Sequence, residues 1–120
     1  MKKIFILITV VALGCAFTAQ KKIKIIFFGD SITELGVKEK PYKGYILKMD
    51  SLLKVQKKSD QYELSGSGIS GNKVYDLYLR MEDDVLSKNP DVVVIYVGVN
   101  DVWHKTLLGT GTDADKFEKF

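Results

Sequence analysis

The sequence has few of the residues that form covalent cross-links or metal centres. It contains one cysteine, Cys15, and one histidine, His104, among its 120 residues. A single cysteine cannot form a disulfide within the chain, and no group of residues has the spacing of a zinc site. We therefore expect no disulfide, no structural metal and no cofactor.

An excess of charge of one sign is also missing. The chain has 18 Lys and Arg residues against 15 Asp and Glu residues. Lys2 and Lys3 lie in a segment that we interpret below as a targeting sequence, and without them 16 basic residues face 15 acidic ones. This balance gives no electrostatic reason to expect nucleic acid or an anionic membrane surface as a partner.

No hydrophobic run reaches the roughly 20 apolar residues that a bilayer-spanning helix needs. The apolar run IFILITVVAL follows MKK and precedes the small residues of GCAFTAQ, an order typical of a secretory signal peptide. We expect residues 1–19 to be an export signal and the protein to act in the periplasm, at the cell surface or outside the cell. ALGC also resembles an imperfect bacterial lipobox, so a lipid anchor at Cys15 is an alternative, and a buried N-terminal strand is another.

The remaining chain alternates between strand and helix patterns. KIKIIFF, YELS and DVVVIYVG read as strands. PYKGYILKMDSLLKV, with Pro41 at its first position, and KVYDLYLRMEDDVL read as helices, and Thr112 and Asp115 are spaced as the capping box of a last helix. This order predicts an α/β fold with a parallel sheet and helices on both faces.

The last predicted helix begins shortly before Phe120. A three-stranded parallel sheet is small for a domain of this class, which normally has about 100 to 200 residues. We therefore expect residues 20–120 to be the N-terminal part of a longer domain.

Each predicted strand is followed by a polar stretch: GDSIT, SGSGISGN and GVND. Ligands of open parallel sheets bind at the carboxyl ends of the strands. Ser31 supplies a hydroxyl there, Gly68 a backbone N–H without a side chain, and Asn100 a side-chain amide. Acyl transfer needs such a set, because a hydroxyl attacks the carbonyl carbon while N–H donors stabilise the negative charge that develops on its oxygen.

GDSIT, Gly68 within GISGN, and GVND resemble, in this order, the first three sequence blocks of the SGNH (GDSL-like) hydrolase superfamily. The resemblance extends from Lys22 to about His104. It implies a three-layer α/β/α flavodoxin-like sandwich with a parallel sheet, here truncated after the third strand. It also implies that Ser31 is the catalytic nucleophile and that the N–H groups of Ser31 and Gly68, with the Asn100 amide, form the oxyanion hole.

Two features depart from the family pattern. Gly66 stands where the second block often has Asn, and the family's C-terminal D-x-x-H block, which supplies the base His and its Asp, does not follow the third strand at the expected distance. DVWH, with Asp101 and His104, is a D-x-x-H string by itself, so His104 as the catalytic base is an alternative. We expect instead that Asp101 holds its loop by backbone hydrogen bonds and that the catalytic His and Asp lie beyond Phe120. The 120-residue chain alone should then be nearly inactive.

The resemblance implies a serine ester hydrolase that forms an acyl-enzyme on Ser31. Export favours substrates outside the cytosol, with acetyl or acyl esters of carbohydrates ahead of acyl lipids. The alternatives are a non-catalytic binding domain on the same fold and a flavodoxin-like nucleotide-binding domain. SGSGISGN lacks the spacing of the common phosphate-binding glycine motifs, which disfavours the nucleotide-binding alternative.

Overall fold

The computed structural model describes residues 20–41 and 43–120, so the expected export signal and Cys15 lie outside the described residues. Each of the three strands is followed by one or more helices. In chain order the elements are β1 (Ile23–Gly29), α1 (Ser31–Gly36), α2 (Tyr45–Val55), β2 (Tyr62–Gly68), α3 (Val74–Asp84), a short 3-10 helix (Leu86–Lys88), β3 (Val92–Tyr96), α4 (Val99–Leu108) and α5 (Ala114–Phe117).

The three strands form one parallel sheet in the order β2-β1-β3. Gly29, at the end of β1, lies opposite Gly68 of β2 on one side and Tyr96 of β3 on the other. The carboxyl ends of all three strands therefore meet at one edge of the sheet. The α/β class with a parallel sheet, predicted from the sequence, is confirmed.

Helices cover both faces of β1 because its side chains alternate in direction. Ile26 and Phe28 pack against Leu77 of α3 in the buried core. Phe27 points to the opposite face, where its ring meets that of Tyr45 of α2 edge to face, with ring centroids 5.6 Å apart. The nearly continuous apolar run of β1 is thus explained by burial on both faces.

β3 lies at an edge of the sheet and is the least covered strand. Its five apolar or aromatic side chains are between 37% (Val93) and 57% (Ile95) exposed.

None of the helices within residues 20–41 and 43–120 combines the length and the apolar character that crossing a bilayer requires.

The prediction that Pro41 opens the second helix is wrong. α2 begins at Tyr45, and Gly44 is its N-cap. Gly44 N donates to the carbonyl of Lys38 at 2.9 Å, and a Cβ on Gly44 would lie 2.2 Å from the carbonyl oxygen of Gly36. Because the chain crosses the end of α1 this closely, the helix can begin only after the crossing.

The predicted capping box of Thr112 and Asp115 is also wrong. The N-cap of α5 is Asp113, and no side chain caps the helix there. Thr112 N donates instead to the carbonyl of Asp101 at 3.2 Å. This bond holds Thr112 against α4, so that α5 begins one residue later.

Candidate active site

Ser31 is the first residue of α1, two positions after the end of β1. The preceding Asp30 is the N-cap, and its Oδ1 accepts a hydrogen bond from Ile32 N at 3.0 Å. Carboxylates are favoured at this position because they accept from N–H groups that have no partner inside the helix. Asp30 is completely buried, and its capping hydrogen bond fixes the turn that presents the half-buried Ser31.

Gly29 explains why a buried strand ends on a residue without a side chain. A Cβ at this position would lie 2.2 Å from the carbonyl oxygen of Tyr96 on β3 and 2.6 Å from Oγ1 of Thr33 on α1. The first helix and the neighbouring strand approach the backbone of β1 too closely for any larger residue. In the Gly-Asp-Ser sequence, Gly29 thus allows a close backbone contact, Asp30 caps the helix, and Ser31 follows as a half-buried hydroxyl.

Gly68 is the last residue of β2 and does not lie in a loop. A Cβ there would lie 2.0 Å from Glu34 N and 2.5 Å from the carbonyl carbon of Thr33. The backbone of α1 therefore packs directly on Gly68, which lets β2 and the turn that carries Ser31 come together.

The N–H of Gly68, however, does not face that turn. Ile69 N donates to the carbonyl of Gly29 at 3.1 Å, and successive N–H groups along a strand point to opposite sides. The Gly68 N–H consequently points away from β1, which leads into Ser31. The geometry thus favours a packing role for Gly68 over the oxyanion role expected from the sequence.

Gly71 has a geometry that suits an oxyanion donor, although the sequence did not single it out. It lies in a turn that is closed by a 3.2 Å hydrogen bond from Asn72 N to the carbonyl of Ile69. Gly71 has φ 82°, as the third residue of a type II turn requires. The space beside its Cα is open, and its N–H has no hydrogen-bond partner in the described part of the chain. The sequence I-S-G-N between a strand and a helix is the signal that could have identified it.

Asn100 lies beside the same turn. It is a buried residue in the first turn of α4, and its Nδ2 donates to the backbone carbonyl of Asn72 at 3.0 Å. An amide nitrogen carries two hydrogens, so this bond orients the side chain and leaves one donor for a ligand. The structure thus brings Asn100 and the Gly71–Asn72 turn together at the carboxyl edge that also holds Ser31.

Asp101 has a structural role. Its buried carboxylate accepts from Val74 N, with distances of 3.3 and 3.2 Å to the two oxygens, and so ties α4 to the start of α3. His104 is half-buried beside Trp103, with ring centroids 5.9 Å apart, and no hydrogen bond joins it to Asp101 among the described residues. These contacts favour the interpretation of Asp101 as a loop-fixing acceptor over a catalytic Asp101–His104 pair.

Glu34 connects α1 to the turn after β2. Its Oε1 accepts from Lys38 Nζ at 2.7 Å, and its Oε2 accepts from Ser70 N at 2.8 Å. The Lys38 hydrogen bond first, and the Ser70 N–H second, hold the pKa of Glu34 below its ordinary value. At neutral pH the carboxylate is therefore charged and keeps the turn next to the helix that carries Ser31.

Across residues 20–41 and 43–120, no group of three or more His, Cys, Asp or Glu side chains is placed to hold a metal ion.

A sequence model of the GDSL-like lipase/acylhydrolase family matches residues 27–118. The chain belongs to this family. Its relatives include an acetylxylan esterase from Geobacillus stearothermophilus, which is 37% identical over 91 residues that cover 68% of this chain and 41% of that protein.

Crystal structures of the family show the same fold. The acetyl xylan esterase AlAXEase superposes with a TM-score of 0.77 at 72% identity, over 81% of this chain and 48% of that one. Axe2, an acetylxylan esterase from Geobacillus stearothermophilus, superposes with a TM-score of 0.71 at 33% identity, over 82% of this chain and 52% of Axe2. This GDSL-family chain therefore spans about half the length of the relatives it matches.

Further Axe2 structures are of catalytic mutants, in which alanine replaces a serine, an aspartate or a histidine. In Axe2 the replaced aspartate and histidine are three positions apart.

Proposed function

We propose that the full-length protein is a serine esterase that removes acetyl groups from carbohydrate esters through an acyl-enzyme on Ser31. The observation that carries the proposal is the common edge of the sheet, where Ser31 and the Gly71–Asn72 turn follow two neighbouring strands and Asn100 donates into that turn. Membership of the GDSL-like family supports ester hydrolysis, and the acetylxylan esterases among the relatives support acetylated carbohydrate as the substrate.

In the proposed first step, Ser31 Oγ loses its proton to a base and attacks the carbonyl carbon of the acetyl group. The carbonyl oxygen becomes an oxyanion, which accepts from the N–H groups of Ser31 and Gly71 and from the second Nδ2 hydrogen of Asn100. The intermediate then expels the sugar oxygen, which takes the proton from the base. Water attacks the acetyl-serine in the same way and releases acetate and free Ser31.

We propose that the base is a histidine, paired with an aspartate, in the portion of the protein beyond Phe120. The Asp101 carboxylate is engaged by Val74 N, and the chain spans only about half of relatives whose catalytic mutants include an aspartate and a histidine. Without that base, only the residual catalysis that donors and binding supply would remain, so the 120-residue chain alone should be nearly inactive. We propose that residues 1–19 direct the protein out of the cytosol, where it meets its substrates. Attachment to the membrane through a lipid on Cys15 is the alternative to release.

The substrate class can be tested with the full-length protein. We expect acetate release from acetylated xylooligosaccharides, and a kcat/KM for p-nitrophenyl acetate at least about 100-fold above that for the decanoate, because a pocket shaped for acetyl excludes long chains. Deacetylated xylooligosaccharide, which should release no acetate, is the control. A preference for the decanoate would indicate a lipase, and binding of the oligosaccharide without hydrolysis would indicate the non-catalytic binding domain.

A further inference from the structure

Arg80, on α3, has no part in the chemistry proposed above, yet its guanidinium is at the centre of a hydrogen-bond network. Its Nε donates to Asn72 Oδ1 at 2.7 Å. Nη2 donates to the carbonyls of Gly29 at 2.8 Å and Ser67 at 3.1 Å. Nη1 donates to Ser67 Oγ at 3.2 Å and to the carboxylate of Asp84. All five N–H donors of a guanidinium are thereby used.

This network is more than a helix-surface ion pair. Only the bond to Asp84, one turn further along α3, is of that kind, and exposed pairs of this spacing contribute little to stability. The other four bonds leave the helix and reach the carboxyl ends of β1 and β2 and the turn after β2. The side chain of Arg80 is 15% exposed, and its guanidinium carbon lies 4.5 Å from the centre of the Phe28 ring. A planar fork with several donors satisfies such a site, whereas the single ammonium of lysine does not.

Two of the acceptors belong to the chain segments that form the proposed reaction centre. Gly29 is two residues before Ser31, so Arg80 holds the strand end that leads into the nucleophile. Asn72 is held through its side chain by Arg80, while its backbone carbonyl accepts from Nδ2 of Asn100 at 3.0 Å. Arg80 thus links the part of the chain that carries Ser31 to the part that orients the Asn100 amide.

We propose that Arg80 is a positioning residue for the oxyanion hole, fixing the Gly71–Asn72 turn and, through it, the amide of Asn100. The inference rests on the proposed esterase function. Loss of the Arg80 guanidinium leaves the Asn72 side chain without its hydrogen-bond donor, so the Gly71–Asn72 turn can rotate. Because Asn100 is oriented by this turn, its amide then moves away from the developing oxyanion. A displacement of about 1 Å can lower catalysis by about 100-fold.

The test is a double-mutant cycle in the full-length protein with acetylated xylooligosaccharide as substrate. Arg80→Lys should lower kcat by about 10- to 100-fold and leave KM within about threefold, because the lost interaction acts mainly in the transition state. Asn100→Ala in the wild-type background should lower kcat by about 100- to 1000-fold. In the Arg80→Lys background the same change should lower kcat by less than about tenfold further, because the amide is already misplaced.

Val85→Ala is the matched control for loss of stability. Val85, the C-cap residue of α3, is 1% exposed and packs in the core, and it makes no hydrogen bond to the Arg80 network. Its effect on kcat should be within about threefold, and it should combine additively with Asn100→Ala. A kcat for Arg80→Lys within threefold of wild type, or an additive cycle between Arg80→Lys and Asn100→Ala, would overturn the inference.

A second readout does not depend on activity. The side-chain amide signals of Asn100 in ¹H–¹⁵N NMR spectra should shift and exchange faster with water in Arg80→Lys, and should be unchanged in Val85→Ala. Unchanged signals in Arg80→Lys would also overturn the inference. If the wild-type protein releases no acetate, the proposed function fails, and these signals alone then decide whether Arg80 holds Asn100.

Discussion

Replacing Ser31 with alanine in the full-length protein is expected to lower kcat for acetate release by at least about 10⁴-fold. The substitution removes the atom that forms the acyl-enzyme, and loss of a serine nucleophile elsewhere has effects of about 10⁴- to 10⁶-fold. The fold should be kept, because Asp30 still caps α1 through its own carboxylate. The measurement is kcat from acetate release, together with the free energy of unfolding from urea denaturation.

Ser87→Ala is the control for removal of a serine hydroxyl. Ser87 lies in the 3-10 helix that precedes β3, at the opposite end of the sheet, and its Oγ donates to the carbonyl of Asp83 at 2.9 Å. Its kcat should equal that of the wild type. A Ser31→Ala protein that kept more than a tenth of the wild-type kcat would show that Ser31 is not the nucleophile.

Replacing Gly68 with alanine is expected to lower kcat/KM by at least about 100-fold and the free energy of unfolding by about 1 to 3 kcal/mol, as added atoms do in tightly packed sites. The new Cβ would lie 2.0 Å from Glu34 N and 2.6 Å from the carbonyl oxygen of Asp30. These are backbone atoms of α1 and its cap, so α1 must move away from β2. Ser31, in the first turn of that helix, would move with it.

Gly66→Ala is the matched control, because Gly66 lies on the same strand and the same face. Its Cβ would meet the ends of two side chains, Cγ1 of Val37 at 2.7 Å and Cδ1 of Ile46 at 3.0 Å. Side-chain ends can rotate aside, so kcat/KM should stay within about fivefold of wild type. Equal losses in the two variants, measured per mole of folded protein, would contradict the view that contact between Gly68 and the backbone of α1 positions Ser31.

The sheet and its functional edge could be predicted from the sequence because their signals are local. β1 is apolar at nearly every position, as burial on both faces requires, and the polar stretches that begin at Gly29 and Gly98 mark where β1 and β3 give way to helices. The sequence does not predict helices α1 and α4, because they begin inside these polar stretches. α4 has Gly98 as its N-cap, with φ 127° and no side-chain cap, so no capping side chain marks its start.

Two features of the proposed site depend on tertiary contacts that the sequence does not show. They are which glycine donates its N–H to the oxyanion, and what Arg80 does. SGSGISGN contains three glycines separated by other residues, and the sequence does not show which of them ends a strand. Only the packing of α1 on Gly68 and the positive φ of Gly71 distinguish the packing glycine from the proposed oxyanion donor. Arg80 has Asp84 four residues later and therefore reads as an ordinary surface pair, although four of its five hydrogen bonds reach other elements.

The most direct test is a crystal structure of the full-length protein after reaction with a serine-directed alkyl phosphonate, which mimics the tetrahedral intermediate. We expect a covalent bond from phosphorus to Ser31 Oγ. We also expect a phosphonyl oxygen about 2.7 to 3.1 Å from the backbone nitrogens of Ser31 and Gly71 and from Nδ2 of Asn100. Phosphonylation of a different residue, or a phosphonyl oxygen that contacts none of these donors, would contradict the proposed oxyanion hole.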